Sequence, residues 1–194
     1  MAIQTSTIEP HWNYFLALDG DLARLARYVE FHSKNFDCFS VEIARVLLAA
    51  AAEVDVVAKQ LCEILRPGCG ADGINAYRDV IVAGLPDVAN FEIQIPRYGL
   101  QLVPWDEWKV PNGVPLWWTA NNKVKHERHT HFDHATLKHA LNAVGALFVL
   151  LLYLYRDKAT QGQLVPAPEI VRVGEDHFEG VDVGSADSGI WYKL

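Results

Sequence analysis

The sequence predicts a mainly α protein: an up-and-down helical bundle of four to five helices with a small inserted β-hairpin and an irregular C-terminal tail. Three observations lead there. Apolar residues recur at three- and four-residue intervals over several long segments, the spacing of one buried helical face. One stretch, Asn90 to Ile95, alternates apolar and polar at period two instead. After Arg156 the periodicity gives way to DKATQGQLVPAPEI, rich in Gln, Gly and Pro.

From about Glu9 to His32, the residues Trp12, Phe15, Leu16, Leu22, Leu25, Ala26 and Val29 mark the first helix, with Asp19-Gly20-Asp21 as the place for a kink. Asn35 to Ser40 reads as a turn, and Ser40 as the N-cap of a second helix, Val41 to Leu65, stopped by Pro67-Gly68. That helix is Ala-rich and apolar over most of its circumference, so it is expected at the centre of the bundle. Its charged residues Glu42, Arg45, Glu53 and Asp55 fit one residual solvated side or intrahelical pairs. The alternative places Glu42 or Arg45 beside the histidine segment described below. Asp72 is positioned to cap a third helix, Gly73 to Ala83, which Gly84 and Pro86 end.

The hairpin is expected from Asn90 to Ile95 and Tyr98 to Val103, joined by Pro-Arg-Tyr-Gly. Trp105, Trp108, Trp117 and Trp118 follow, and are read as core rather than as base-stacking surface. Val114 to Tyr155 reads as a helix, a short break and a long helix. Pro115 suits a first turn. Thr130 and Asp133 have the spacing of a capping box, which starts the long helix near His131. In the tail, Glu169 to Val173, His177 to Val183 and Ile190 to Lys193 are short β-like pieces, fit for a small hairpin on the bundle or a cover for a dimer partner. The expected organisation is a helical domain over residues 1–160, with the hairpin insertion at about 90–103, and an extension, 161–194, packed on the same domain.

Composition narrows the function. With 51% hydrophobic and 21% charged residues the chain is an ordinary globular one, and its formal net charge of −7 argues against indiscriminate nucleic-acid binding. A local basic site is compatible with that balance. Cys38, Cys62 and Cys69 form no CxxC pair, and their odd number suits free, mostly buried thiols in a reducing compartment. The first residues lack the basic start and apolar run of a signal peptide. The most apolar run, Ala140 to Tyr155, is interrupted by Asn142 and shorter than the roughly 20 residues that span a bilayer. A cytoplasmic protein with no membrane association is expected. No GxGxxG, P-loop or GxSxG pattern occurs, and no cofactor is expected.

Five of the eight histidines (His126, His129, His131, His134, His139) lie within Val114 to Tyr155, with Lys123, Lys125, Arg128 and Lys138. Three readings compete. A metal site would use the i,i+3 pairs His126/His129 or His131/His134, but there is no HExxH and no cysteine partner, and a capped junction would splay the pairs; no metal ligand is assigned. A structural reading has these side chains capping, pairing with Glu127 and Asp133, or solvated. The third is phosphoryl chemistry, in which an imidazole moves a proton and a guanidinium stabilises charge on phosphate oxygens. Arg128 and His134 supply one of each beside a helix N-terminus that favours anions.

At Arg128-His-Thr-His-Phe-Asp-His134 the chain resembles the HEPN superfamily, whose hallmark is an Arg followed four to six residues later by a His, at the start of the last long helix of a helical bundle. His129 matches the polar residue that commonly follows that Arg. The resemblance covers roughly residues 9 to 157; the hairpin and the tail depart from it. It implies an all-α homodimer with the two motif copies meeting at the interface, through the apolar helices or the Trp-rich segment. It further implies metal-independent RNA cleavage by attack of the ribose 2′-OH, in a toxin or phage-defence setting where an antitoxin or regulatory partner is expected. His134 would then transfer protons and Arg128 stabilise the phosphate, with His129 adjacent and His131 the next catalytic candidate. Lys123, Lys125 and His126 are the candidate substrate-binding groups. The competing readings are a non-catalytic binding or regulatory module whose histidines are structural, and a metal-dependent hydrolase.

Overall fold

A computed structural model of the chain describes residues 9–181 and 189–194. Six α-helices, α1 (Pro10–Leu25), α2 (Val41–Leu65), α3 (Ile74–Gly84), α4 (Leu116–His131), α5 (Leu137–Leu154) and the one-turn α6 (Arg156–Thr160), make it mainly α. Between α3 and α4 lie β1 (Ile93–Ile95) and β2 (Leu100–Leu102); the tail contributes β3 (Arg172–Val173), β4 (Phe178–Val181) and β5 (Ile190–Tyr192).

Contacts of His11 with Glu53 and of Asp21 with Arg45 make α1 antiparallel to α2. The short junction after α4 folds it back on α5. By contrast, α2 and α5, which share the largest contact, run parallel. Their N-termini meet where Leu137 N–H donates to Cys38 O (2.8 Å), and their C-terminal ends share a cleft lined by Leu61, Leu65, Leu154 and Tyr155.

As expected, α2 is central, packing against α1, α3, α4 and α5, and it shares the centre of the bundle with α5. Every residue from Ala143 to Leu152 is buried, whereas α2 leaves Val56 and Ile64 exposed and keeps its charges on the open side. There Arg45 pairs with Glu42 (2.8 Å) and with Asp21 (3.0 Å), and Lys59 with Asp55 (2.9 Å), while Glu53 meets His11 (2.5 Å). Glu42 and Arg45 are therefore held by charges of α1 and α2. By length and hydropathy α5 could cross a bilayer, yet most of it is covered by the protein itself.

Local chemistry explains most boundaries. Ser40 Oγ accepts from Ile43 N–H (3.2 Å) and caps α2 as expected. Asp72 does not cap α3: Gly73, at φ 83°, turns the chain into that helix, and the Asp72 carboxylate pairs with Lys59 (3.0 Å). The first helix ends at Leu25, not His32, and runs unkinked through Asp19-Gly20-Asp21. Of the three free thiols Cys38 is exposed, against expectation; Cys62 is buried, which pushes its thiol up to about 11.

The hairpin forms where its alternation placed it and becomes part of the core. β1 pairs antiparallel with β2, Ile93 opposite Leu102, and lies so close to α5 that a Cβ on Gly145 would meet Ile93 Cδ1 at 2.8 Å. Trp105 donates to Ala146 O (3.3 Å) and Trp117 to Pro104 O (2.8 Å), which seats both indoles in the interior. Trp105, Trp108, Trp117 and most of α5 are thus internal, while α2 leaves Val41, Val56 and Ile64 exposed.

The tail is more regular than its composition implies. β3 adds to the other edge of β1, and β4 pairs with β5 as a separate hairpin; Val183, expected in that strand, lies outside the described residues. The anchor is Asp19, only 2% exposed, whose carboxylate accepts from the N–H groups of Glu169 (2.5 Å), Ile170 (3.1 Å) and Val171 (2.9 Å). Burial pushes this carboxyl above its ordinary range, against those three donors, which pull it down.

Candidate functional site

The buried stripe of α4 is Trp117, Ala120, Asn121 and Val124. Continued at helical spacing it would carry Glu127 and Arg128 into the core, where an unpaired charge costs several kcal/mol. The helix breaks instead. Glu127 adopts φ −134°, ψ 40°, and the turn beyond it leaves Glu127, Arg128 and His129 all exposed. Thr130 Oγ1 donates to Glu127 O (3.1 Å), which closes the broken turn.

Thr130 therefore stabilises the end of α4 and does not cap the next helix. The chain makes a 3₁₀ turn at Phe132–His134, and α5 starts six residues later than expected, at Leu137, capped by Thr136 Oγ1 accepting from His139 N–H (3.3 Å). The other early donors of α5 are also occupied. Leu137 N–H goes to Cys38 O (2.8 Å) and Lys138 N–H to Phe36 O (3.1 Å). The expected anion site at this helix N-terminus is thus closed, because its N–H groups are bound by the loop before α2. Any anion held here must be held by side chains.

The 3₁₀ turn brings the imidazoles together. With three residues per turn, positions i and i+3 eclipse, and the rings of His131 and His134 stand edge to face, 5.4 Å between centroids. The junction thus does not splay this pair apart. Both are partly exposed; His131 Nε2 lies 3.1 Å from Glu127 Oε2. Among the described residues the side chain of Arg128 makes no ion pair or hydrogen bond, and those of His126 and His129 make none either. Lys125 and His126 are exposed and Lys123 half-buried on α4 just before the break. Beneath the turn, Phe132 packs edge-on against Phe39 (5.7 Å).

No protein-family model, curated protein or solved structure matches this chain. The chemistry of the junction is therefore read from its own residues.

Two participants were not among the candidate site residues read from the sequence. His139 is half-buried, and its Nδ1 donates to His134 O (2.9 Å), pinning the turn that carries His134 to the first turn of α5. Burial lowers its pKa, so the fold favours neutral imidazole. The native state then binds fewer protons than the unfolded chain as pH falls through the ordinary histidine value of 6.5 toward the lowered one. Stability from His139 is fully present above 6.5 and is lost below it. Urea unfolding at pH 7.5 and 5.5 is expected to show a larger loss for the wild type than for His139→Gln. Equal losses would remove His139 as the cause. The second participant is Asp133, exposed on the 3₁₀ turn between the two imidazoles.

Proposed function

We propose that the protein is a HEPN-like, metal-independent endoribonuclease. The observation carrying this reading is the break in α4 at Glu127, which turns Arg128 out to solvent on the same short junction that pairs His131 with His134. In the reaction the 2′-OH gives its proton to an imidazole as its oxygen attacks the neighbouring phosphorus. The P–O5′ bond breaks, the leaving 5′ oxygen takes up a proton, and a cyclic phosphate remains. His134 is assigned the proton transfer at the nucleophile and His131, at 5.4 Å, the proton for the leaving oxygen. Arg128 is assigned the charge that develops on the phosphate oxygens, since the α5 backbone donors are occupied. Lys123, Lys125 and His126 extend the polar surface along α4 for substrate, and His129 flanks Arg128.

Action on RNA in the cytoplasm as a toxin or defence protein, under a cognate regulatory partner, belongs to the same proposal. So does a homodimer. Its support is the apolar surface at this end of the bundle, where Tyr28, Val41 and Phe39 are exposed and Phe39 touches Phe132 beside the motif. The competing reading, a non-catalytic binding or regulatory module, draws on the occupied N-terminus of α5 and the acidic net charge.

The deciding experiment incubates the purified protein with labelled total RNA in excess EDTA. Fragments ending in cyclic phosphate and 5′-hydroxyl are the expected result. RNA left intact, at protein excess and over prolonged incubation, would transfer the assignment to the binding module.

A further inference from the structure

We propose that His131, Asp133 and His134 form a binding site for a first-row transition-metal dication, with Zn2+ as its natural probe. One ligand atom from each of the three side chains lies within 4.8 Å of the others. The cause is local. His131, at φ −128°, ψ 27°, leaves the helical path, and the 3₁₀ turn after it brings Asp133 and His134 beside its ring. Tetrahedral zinc holds nitrogen and oxygen donors at about 2.0–2.2 Å, so its ligands stand roughly 3.4 Å apart. The three donors reach that spacing by side-chain rotation, which their partial or full exposure permits.

The donor set selects the ion. Two imidazoles with one carboxylate suit zinc, nickel or copper, whereas calcium and magnesium require oxygen-rich shells. Three protein ligands leave at least one coordination position to water. Glu127 Oε2, 3.1 Å from His131 Nε2, adds a carboxylate at the rim that orients that ring and offsets the charge of the ion. Because the imidazoles must be unprotonated to bind, affinity falls as the solution is acidified.

The functional consequence rests on the ribonuclease reading. An imidazole nitrogen that ligates a metal has no lone pair left to accept a proton, so the loaded form is silenced and the metal acts as an inhibitor of a metal-independent enzyme. Zinc binding itself does not depend on that reading.

The test uses untagged, EDTA-stripped, full-length protein titrated with Zn2+ against a chromophoric competitor at pH 7.5. One equivalent is expected to bind saturably. Asp133→Ala and His131→Gln are each expected to weaken binding about tenfold or more, and His32→Ala, a surface histidine elsewhere, to leave it unchanged. Circular dichroism establishes that each variant is folded, and two variants keep the result decisive if one is not. In parallel, one equivalent of Zn2+ is expected to suppress RNA cleavage by the wild type, with the suppression lost in Asp133→Ala relative to that variant's own metal-free rate. Absence of saturable binding, or an affinity unchanged from the wild type in both ligand variants, overturns the site. Site-specific binding by a protein that leaves RNA intact in EDTA removes the ribonuclease reading and leaves the site standing.

Discussion

On the proposed ribonuclease reading, His134→Ala is expected to lower RNA cleavage by about 100- to 10,000-fold, the usual contribution of a positioned proton-transfer group, while leaving thermal unfolding close to that of the wild type. Both halves follow from where the side chain sits. Its ring is partly exposed on a 3₁₀ turn, and the contact that secures the turn is made by its carbonyl oxygen, which accepts from His139 and survives the substitution. Arg128→Ala is expected to act likewise, since its guanidinium is exposed and engages nothing among the described residues. Rates at saturating RNA, set beside melting curves, check the pair. If either variant melts far below the wild type, the side chain is structural and the assignment falls.

The largest effect on stability is expected from Asp19→Ala, at roughly 3–5 kcal/mol, because it strands the N–H groups of Ile170 and Val171 in the interior and removes the acceptor of Glu169. Each buried donor left unpaired costs about 1–3 kcal/mol. For a chain of this size the loss corresponds to a Tm lower by roughly 6–20 °C. Asp19→Asn, whose amide oxygen still accepts, is expected to recover part of it. The damage should begin at the tail. The carboxylate ties residues 169–171 to α1, and β3 follows at once to complete the sheet around β1. Limited proteolysis should therefore cut between Ala159 and Val173 in Asp19→Ala before the helices unfold. A variant that unfolds in a single step with no early cleavage in that segment would show that the tail is not separately anchored.

Asp19 also shows how much of this was legible in the chain. Trp12, Phe15, Leu22 and Ala26 form an apolar stripe at helical spacing, and Asp19 stands inside it, four residues after Phe15 and three before Leu22. A carboxylate in that position has to find donors, so its burial was there to be read. Its partners were not, since they lie about 150 residues away in a stretch whose Pro and Gln content looks irregular. A similar cue marked the junction: Glu127 and Arg128 fall on the line extended from Trp117 and Val124, and a charged pair on a buried face forces the helix to end. The spacing of Thr130 and Asp133 pointed to a capping box instead. Thr136 displaced it, because the loop at Phe36–Phe39 had already claimed the next backbone donors.

The amino-acid sequence alone determined the mainly α class, the whole of α2 with its Ser40 cap, the position of the hairpin and the crowding of histidines before the last long helix. Each of those rests on local periodicity or on side-chain chemistry within a few residues. Tertiary structure decided the rest. It bound the tail through Asp19, added β3 to the edge of β1 and closed the helix N-terminus to anions. All of these depend on which distant backbone groups satisfy one another in the interior, and hydrogen-bond partners far apart in sequence leave no mark on local periodicity.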